Sequence, residues 1–163
     1  MSAPVPIRDL LAGHPFFADL PAADLDLVAG CGRNVHFAAG QEVFAEGGDA
    51  DAFFVIRHGR VALSVHSPPG GELTIATLGD GEVLGWSWLF PPHRWQFDAR
   101  AVAGTSAVAL DGACLRGKCE ADTALGYRLM ARFARLIQQR LQATRLQLLD
   151  LYGRDGPERS VAG

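Results

Sequence analysis

Three textures of hydrophobic patterning succeed one another along the chain. Between residues 7 and 30, apolar positions fall at helical spacing in two short runs, IRDLLAGHPFF and AADLDLVAG, separated at Leu20-Pro21 and stopped at Gly30, so short N-terminal helices are expected. From residue 34 to 115 the runs shorten, alternate or become wholly apolar, with glycine between them: NVHFAAG, EVFAEGGD, AFFVIRHG, RVALSVHSPPGG, ELTIATLGDG, EVL and DARAVAGTSAVAL. Short strands punctuated by turn residues predict a mainly β fold, a jelly roll or barrel, and SPPGG reads as a hairpin tip. From residue 122 to 152 the period returns to that of a helix: Leu129, Met130, Phe133, Leu136, Ile137, Leu141, Thr144, Leu148 and Leu151 share one arc. This long amphipathic helix exceeds what a small β domain covers. Its stripe is expected to meet a second copy, with Met130, Phe133, Ile137, Leu141, Thr144 and Leu148 at a homodimer interface; packing wholly onto its own barrel is the other reading. Residues 153–163 read as a polar tail beyond the helix.

At 163 residues and 48% hydrophobic content, the chain is expected to form one domain over residues 1–152 around a single core. The net charge of -3 excludes wrapping nucleic acid or coating an anionic membrane by bulk charge. No apolar run reaches membrane-spanning length, and MSAPVPIRDLL lacks a secretory pattern, so a cytoplasmic protein without membrane contact is expected. Cys31, Cys114 and Cys119 are an odd set without metal spacing and are expected to be plain thiols. The five histidines show no metal-ligand spacing, and neither a G-x-S-x-G elbow nor a phosphate loop is present. No enzyme, no catalytic residue and no metal site is therefore expected.

All three tryptophans lie in LGWSWLFPPHRWQFDARAV, residues 84–102. In an extended segment Trp86 and Trp88 would point to one face. Ser87, His93, Arg94, Gln96 and Asp98 set hydrogen-bonding groups beside the aromatic planes. That mixture suits a largely apolar ligand with polar handles, or stacking on a flat base; tryptophans that plug an unused pocket are the alternative.

The ordered series Gly40, Glu46-Gly47, Asp49, Phe53-Phe54-Val55-Ile56, Gly59, Val61 and Gly79-Asp80 leading to Gly85 resembles the cyclic-nucleotide-binding domain of CRP/FNR-type bacterial regulators. RLQATRLQLLDLYGR, residues 140–154, is similar to the dimer helix of the catabolite activator. The resemblance implies a jelly-roll effector domain with flanking helices, a long C-terminal dimerisation helix and a ligand-sensing regulatory role. In nucleotide-binding members of the family, a glutamate after the glycine accepts from the ribose hydroxyl, and an arginine neutralises the cyclic phosphate. Anchored on Gly85 and Arg100-Ala101, the glutamate position falls on Trp86 and the arginine position on Trp95, with one residue deleted between them. If the deletion lies after the arginine, Arg94 takes the phosphate role.

The implied ligand set is Gly85, Trp86, Ser87, Arg94, Trp95 and Gln96, with Thr144 matching the helix threonine at the purine. Arg140 joins it because the wheel places this cation inside the apolar arc. The expected ligand is a cyclic nucleotide, an atypical nucleotide or another small molecule. A ligand-free dimeric scaffold is the main alternative, and a haem sensor using His93 or Cys119 a lesser one. Because the chain stops soon after the helix, where DNA-binding relatives continue into a helix-turn-helix, it is expected to signal through an unidentified protein partner without direct sequence-specific DNA binding.

Overall fold

The structure, a computed structural model, describes residues 4–67 and 70–162, with residues 152–162 described by backbone alone. The chain divides into two compact units, Met1–Gly126 and Tyr127–Gly163.

In the first unit, proline sets the entry to each N-terminal helix. Pro6 and Pro21, at φ -58° and -55°, precede α1 (Ile7–Ala12) and α2 (Ala22–Ala29), and Pro15 opens a 3-10 turn over Pro15–Phe17. His14 caps that turn: its Nδ1 accepts from Phe16 N–H at 3.2 Å, which leaves Nε2–H to donate to the Ile56 carbonyl at 3.1 Å. One buried imidazole thus ties the helical segment to the barrel wall.

Among the described residues there follow β1 (Gly32–Phe37), β2 (Glu42–Phe44), β3 (Ala52–His58), β4 (Val61–Ser67), β5 (Gly71–Leu78), β6 (Val83–Leu84), β7 (Asp98–Ala101) and β8 (Thr105–Asp111). They form two four-stranded antiparallel sheets, ordered β1-β8-β3-β6 and β2-β7-β4-β5, the mainly β architecture that the glycine-punctuated runs predict. β4 and β5 make the expected hairpin, paired from Val61 with Leu78 to Ser67 with Gly71. The two prolines of its predicted tip, at 68 and 69, lie outside the described residues. The unbroken run AFFVI follows from β3 being covered on both faces. Phe54 and Ile56 join the barrel interior, whereas Phe53 packs edge-on against Phe16 and stacks on Trp88.

One end of the barrel is closed at Gly59, whose φ of +125° suits glycine. Its N–H donates to Asp80 Oδ1 at 2.8 Å, and a Cβ there would lie 2.4 Å from Thr105 Oγ1. Three turns therefore meet where no side chain fits.

Two sequence expectations are corrected here. The strand texture ends at Asp111 rather than near Leu115, because the Asp111 carboxylate accepts from the Ala113 and Cys114 N–H groups and caps a further helix, α3 (Gly112–Ala121). Cys31 and Cys114 are also not plain thiols but a disulfide, with Cα atoms 5.7 Å apart; Cys119 alone is free. Register explains the pairing: β1 and β8 align Gly32 with Leu110, which brings Cys31 beside the start of α3.

Asp122, at φ -129°, separates α3 from α4 (Thr123–Ala162), and its Oδ1 accepts from Leu125 N–H at 3.1 Å. In the helical unit the apolar stripe changes character along its length. Leu129 and Phe133 are buried, whereas every residue from Leu141 to Leu151 is exposed. α4 also continues past Tyr152 to Ala162, so the stretch expected to leave the helix is assigned to it. There Gly153, Gly156 and Pro157 lower helix propensity without ending the element. No helix among the described residues is long and apolar enough to cross a membrane.

Candidate functional site

The tryptophan segment does not run extended. Trp86, half-buried, precedes a 3-10 turn over Ser87–Leu89, and a three-residue period replaces the two-residue alternation that would have put Trp86 and Trp88 on one face. Trp88 is fully buried outside the barrel interior, stacked on Phe53 with centroids 5.2 Å apart. Ser87 is buried beside it.

Trp95 enters the barrel. Its main chain is pinned by the Glu46-Gly47-Gly48 turn: Gly47 N–H donates to the Trp95 carbonyl and Trp95 N–H to the Gly48 carbonyl, each at 2.9 Å. Its side chain is 4% exposed and lies flat on Phe44, with centroids 3.7 Å apart and planes 5° from parallel. Ala50, Ile56, Val61, Leu63, Leu78, Leu84 and Ala99 complete the apolar cluster around the pair. The indole edge lies over Gly85, where an added Cβ would come within 2.7 Å of it. Gly85, at φ +96°, thus serves both the turn and the close approach of the indole.

The polar residues of the segment face elsewhere. Arg94 Nη1 pairs with Asp49 Oδ1 at 2.8 Å, with both side chains largely exposed, and also donates to the Gly47 carbonyl. Gln96 is exposed and its Nε2 donates to the Arg94 carbonyl at 3.1 Å. Arg100 Nη1 donates to the Gly40 carbonyl at 2.7 Å. His93 takes a left-handed φ of +57°, and its carbonyl accepts from Ala50 N–H at 2.8 Å. In the helical unit Arg140 is half-buried and Thr144 exposed, the threonine hydroxyl donating to the Arg140 carbonyl at 3.0 Å. Of the ligand set expected from sequence, Gly85 and Trp95 are brought into contact; Arg94 and Gln96 lie on the surface at the flank of Trp95.

Phe44 and Asp49 are the partners of Trp95 and Arg94 that the local sequence pattern does not announce. Phe44 reads locally as one more strand residue, and only the β2–β7 pairing, Phe44 with Ala99, brings it to Trp95. Asp49 was legible as a family position but not as the partner of Arg94, which an isolated bridge between these two residues supplies.

The comparisons with known proteins agree with this architecture. The chain is 29% identical over 125 residues to a CRP-like cAMP-activated global transcriptional regulator of Mycobacterium tuberculosis, a match covering 77% of this chain and 54% of that protein. It therefore spans about half the length of that relative. A putative cyclic nucleotide-binding protein from Geobacter metallireducens superposes with a TM-score of 0.73 at 30% identity, over 86% of this chain and 99% of the other. The catabolite activator protein of Thermus thermophilus does so with a TM-score of 0.67 at 27% identity, over 82% and 61% respectively. The cyclic nucleotide-binding domain model itself matches residues 34–122, and to that family this chain belongs.

Proposed function

We propose that the chain is a regulatory module of the CRP effector type that carries its own occupant, Trp95, at the nucleotide position, and acts as a dimeric interaction module in the cytoplasm. The observation that carries this reading is the Trp95 indole, buried flat on Phe44 and directly over Gly85. Arg94 and Arg100, the two arginines of the segment, are engaged with Asp49 and with the Gly40 carbonyl. A cyclic phosphate entering the barrel would lose its hydration against the apolar wall of Phe44 and Trp95, with Arg94 and Arg100 outside on the surface, a penalty of several kcal/mol. Displacing a buried tryptophan costs about another 3–5 kcal/mol, and each 1.4 kcal/mol is a factor of ten in affinity.

The output of such a module is its surface. The exposed leucines of α4 from Leu141 to Leu151 supply an apolar seam for a second copy, and the paired modules then present a protein-binding face.

Calorimetry with cyclic AMP and cyclic GMP tests the reading, with no binding heat expected for either at millimolar concentration. Micromolar binding of either nucleotide overturns it. The apolar wall around Phe44 favours one second reading, a sensor of neutral, flat aromatic molecules that displace the indole. A thermal-shift screen with such compounds decides between the two, since a ligand of the folded state raises the midpoint by mass action.

A further inference from the structure

The Cys31–Cys114 bond joins the α2–β1 corner to the first turn of α3 across 83 residues of sequence. Two non-covalent ties hold the same junction: Asp111 N–H donates to the Cys31 carbonyl at 2.9 Å, and Lys118 Nζ to the Leu27 carbonyl. The β1–β8 ladder ends there as well. Opening the bond therefore leaves the two sulfurs held near each other, the condition for closing it again. Cys31 is 8% exposed, whereas Cys114 is half-buried and flanked by the exposed Ala113, so the pair lies at a surface that a reductant reaches. Cys119, the remaining cysteine, is five residues along α3 from Cys114 and so points well away from it. Burial and the nearby Asp122 and Glu120 carboxylates push its thiol up, which keeps it protonated and out of the exchange.

We infer that Cys31 and Cys114 form a reversible thiol–disulfide site, reduced by dithiols, that fastens α3 to the α2–β1 corner in its oxidised form. A dithiol thiolate attacks one sulfur of the cystine, the S–S bond breaks, and a mixed disulfide forms with release of one protein thiolate. The second dithiol thiol then attacks the mixed disulfide. Two electrons and two protons pass to the protein, which ends with two thiols, and the reagent ends as a cyclic disulfide. In a reducing compartment such a bond is a switchable state rather than a permanent fixture. The element it controls, α3, runs into α4 through Asp122 alone.

The full chain is equilibrated in buffers of graded reduced-to-oxidised dithiothreitol ratio, quenched in acid, unfolded, alkylated and weighed intact. One alkyl label, on Cys119, is expected at the oxidising end and three at the reducing end, with one two-electron transition between them and unchanged far-ultraviolet circular dichroism across it. Amide-exchange protection of α3 is expected to fall on reduction, and Cys119→Ser is expected to leave the midpoint in place. Three labels under oxidising conditions, or two labels that appear only after the fold is lost, overturn the inference. So does peptide mapping that finds Cys119 in the bond.

Discussion

The indole of Trp95 rests on the ring of Phe44 at 3.7 Å between centroids, with the two planes 5° from parallel. A tryptophan buries about 150–250 Å² and an aromatic pair adds about 0.5–1.5 kcal/mol. Trp95→Ala is accordingly expected to cost about 3–5 kcal/mol, read from urea unfolding, with little change in denaturant slope. Free indole should restore part of that loss, raising the melting temperature of the variant and not of the parent. An indole-insensitive variant would mean that the barrel collapses into the vacancy.

Arg94 and Asp49 form a close ion pair, yet both side chains are more than half exposed. Exposed pairs contribute about 0.2–1 kcal/mol. Arg94→Ala and Asp49→Ala should each shift stability by less than about 1 kcal/mol and leave the barrel intact. A double-mutant cycle checks this; a coupling well above that range would give the pair a larger role in fixing the Trp95 turn.

Acid sensitivity is expected at His14. Burial holds its pKa below the ordinary 6.5, with the Ile56 carbonyl opposing the shift, so the folded state favours the neutral ring. Its stabilisation is complete above about pH 6.5 and is lost as pH falls toward the folded-state value, because protonation removes the Nδ1 acceptor for Phe16 N–H. Asp9, Arg57, His58 and Asp80 are the other ionisable side chains that line the same groove. Melting curves from pH 8 to pH 5 should decline for the parent and flatten for His14→Asn, whose amide oxygen keeps the cap. An equal decline in both would remove His14 as the source of the acid sensitivity.

Along α4, burial separates two kinds of substitution. Phe133 is 1% exposed in the single chain, so Phe133→Asp should unfold it, whereas Leu141 and Leu148, each about half exposed, report on assembly. The double variant Leu141→Asp, Leu148→Asp is expected to be folded and monomeric by light scattering where the parent is dimeric. A dimer that persists would place the interface elsewhere.

Much of this fold is legible because its signals are local. Glycine at the turns, the doubly covered run AFFVI and the helical arc beginning at Leu129 each announce an element without reference to anything distant. What local pattern cannot carry is register. The Cys31–Cys114 bond depends on Gly32 facing Leu110, and the Trp95 stack depends on Phe44 facing Ala99. The parting of Trp86 from Trp88 depends on a 3-10 turn that five consecutive residues rich in tryptophan, serine and leucine do not signal. The flanking Gly85 and Arg100-Ala101 leave Trp95 and Arg94 as alternatives for the arginine position, and neither placement says what the indole touches.

At the closed end of the barrel, the turns holding Gly59, Asp80 and Thr105 lean on one another, with Val102 N–H also donating to the Arg60 carbonyl at 2.9 Å. The Gly59 turn is tied to both others, so a residue inserted in it would strain its bonds to Asp80 and to Thr105 together. Insertions and deletions among relatives should therefore avoid that end and gather elsewhere, as at the β4–β5 hairpin, where β5 is exposed from Gly71 to Thr77. Divergence in what such modules recognise would then be written in loop length at one end of the barrel only.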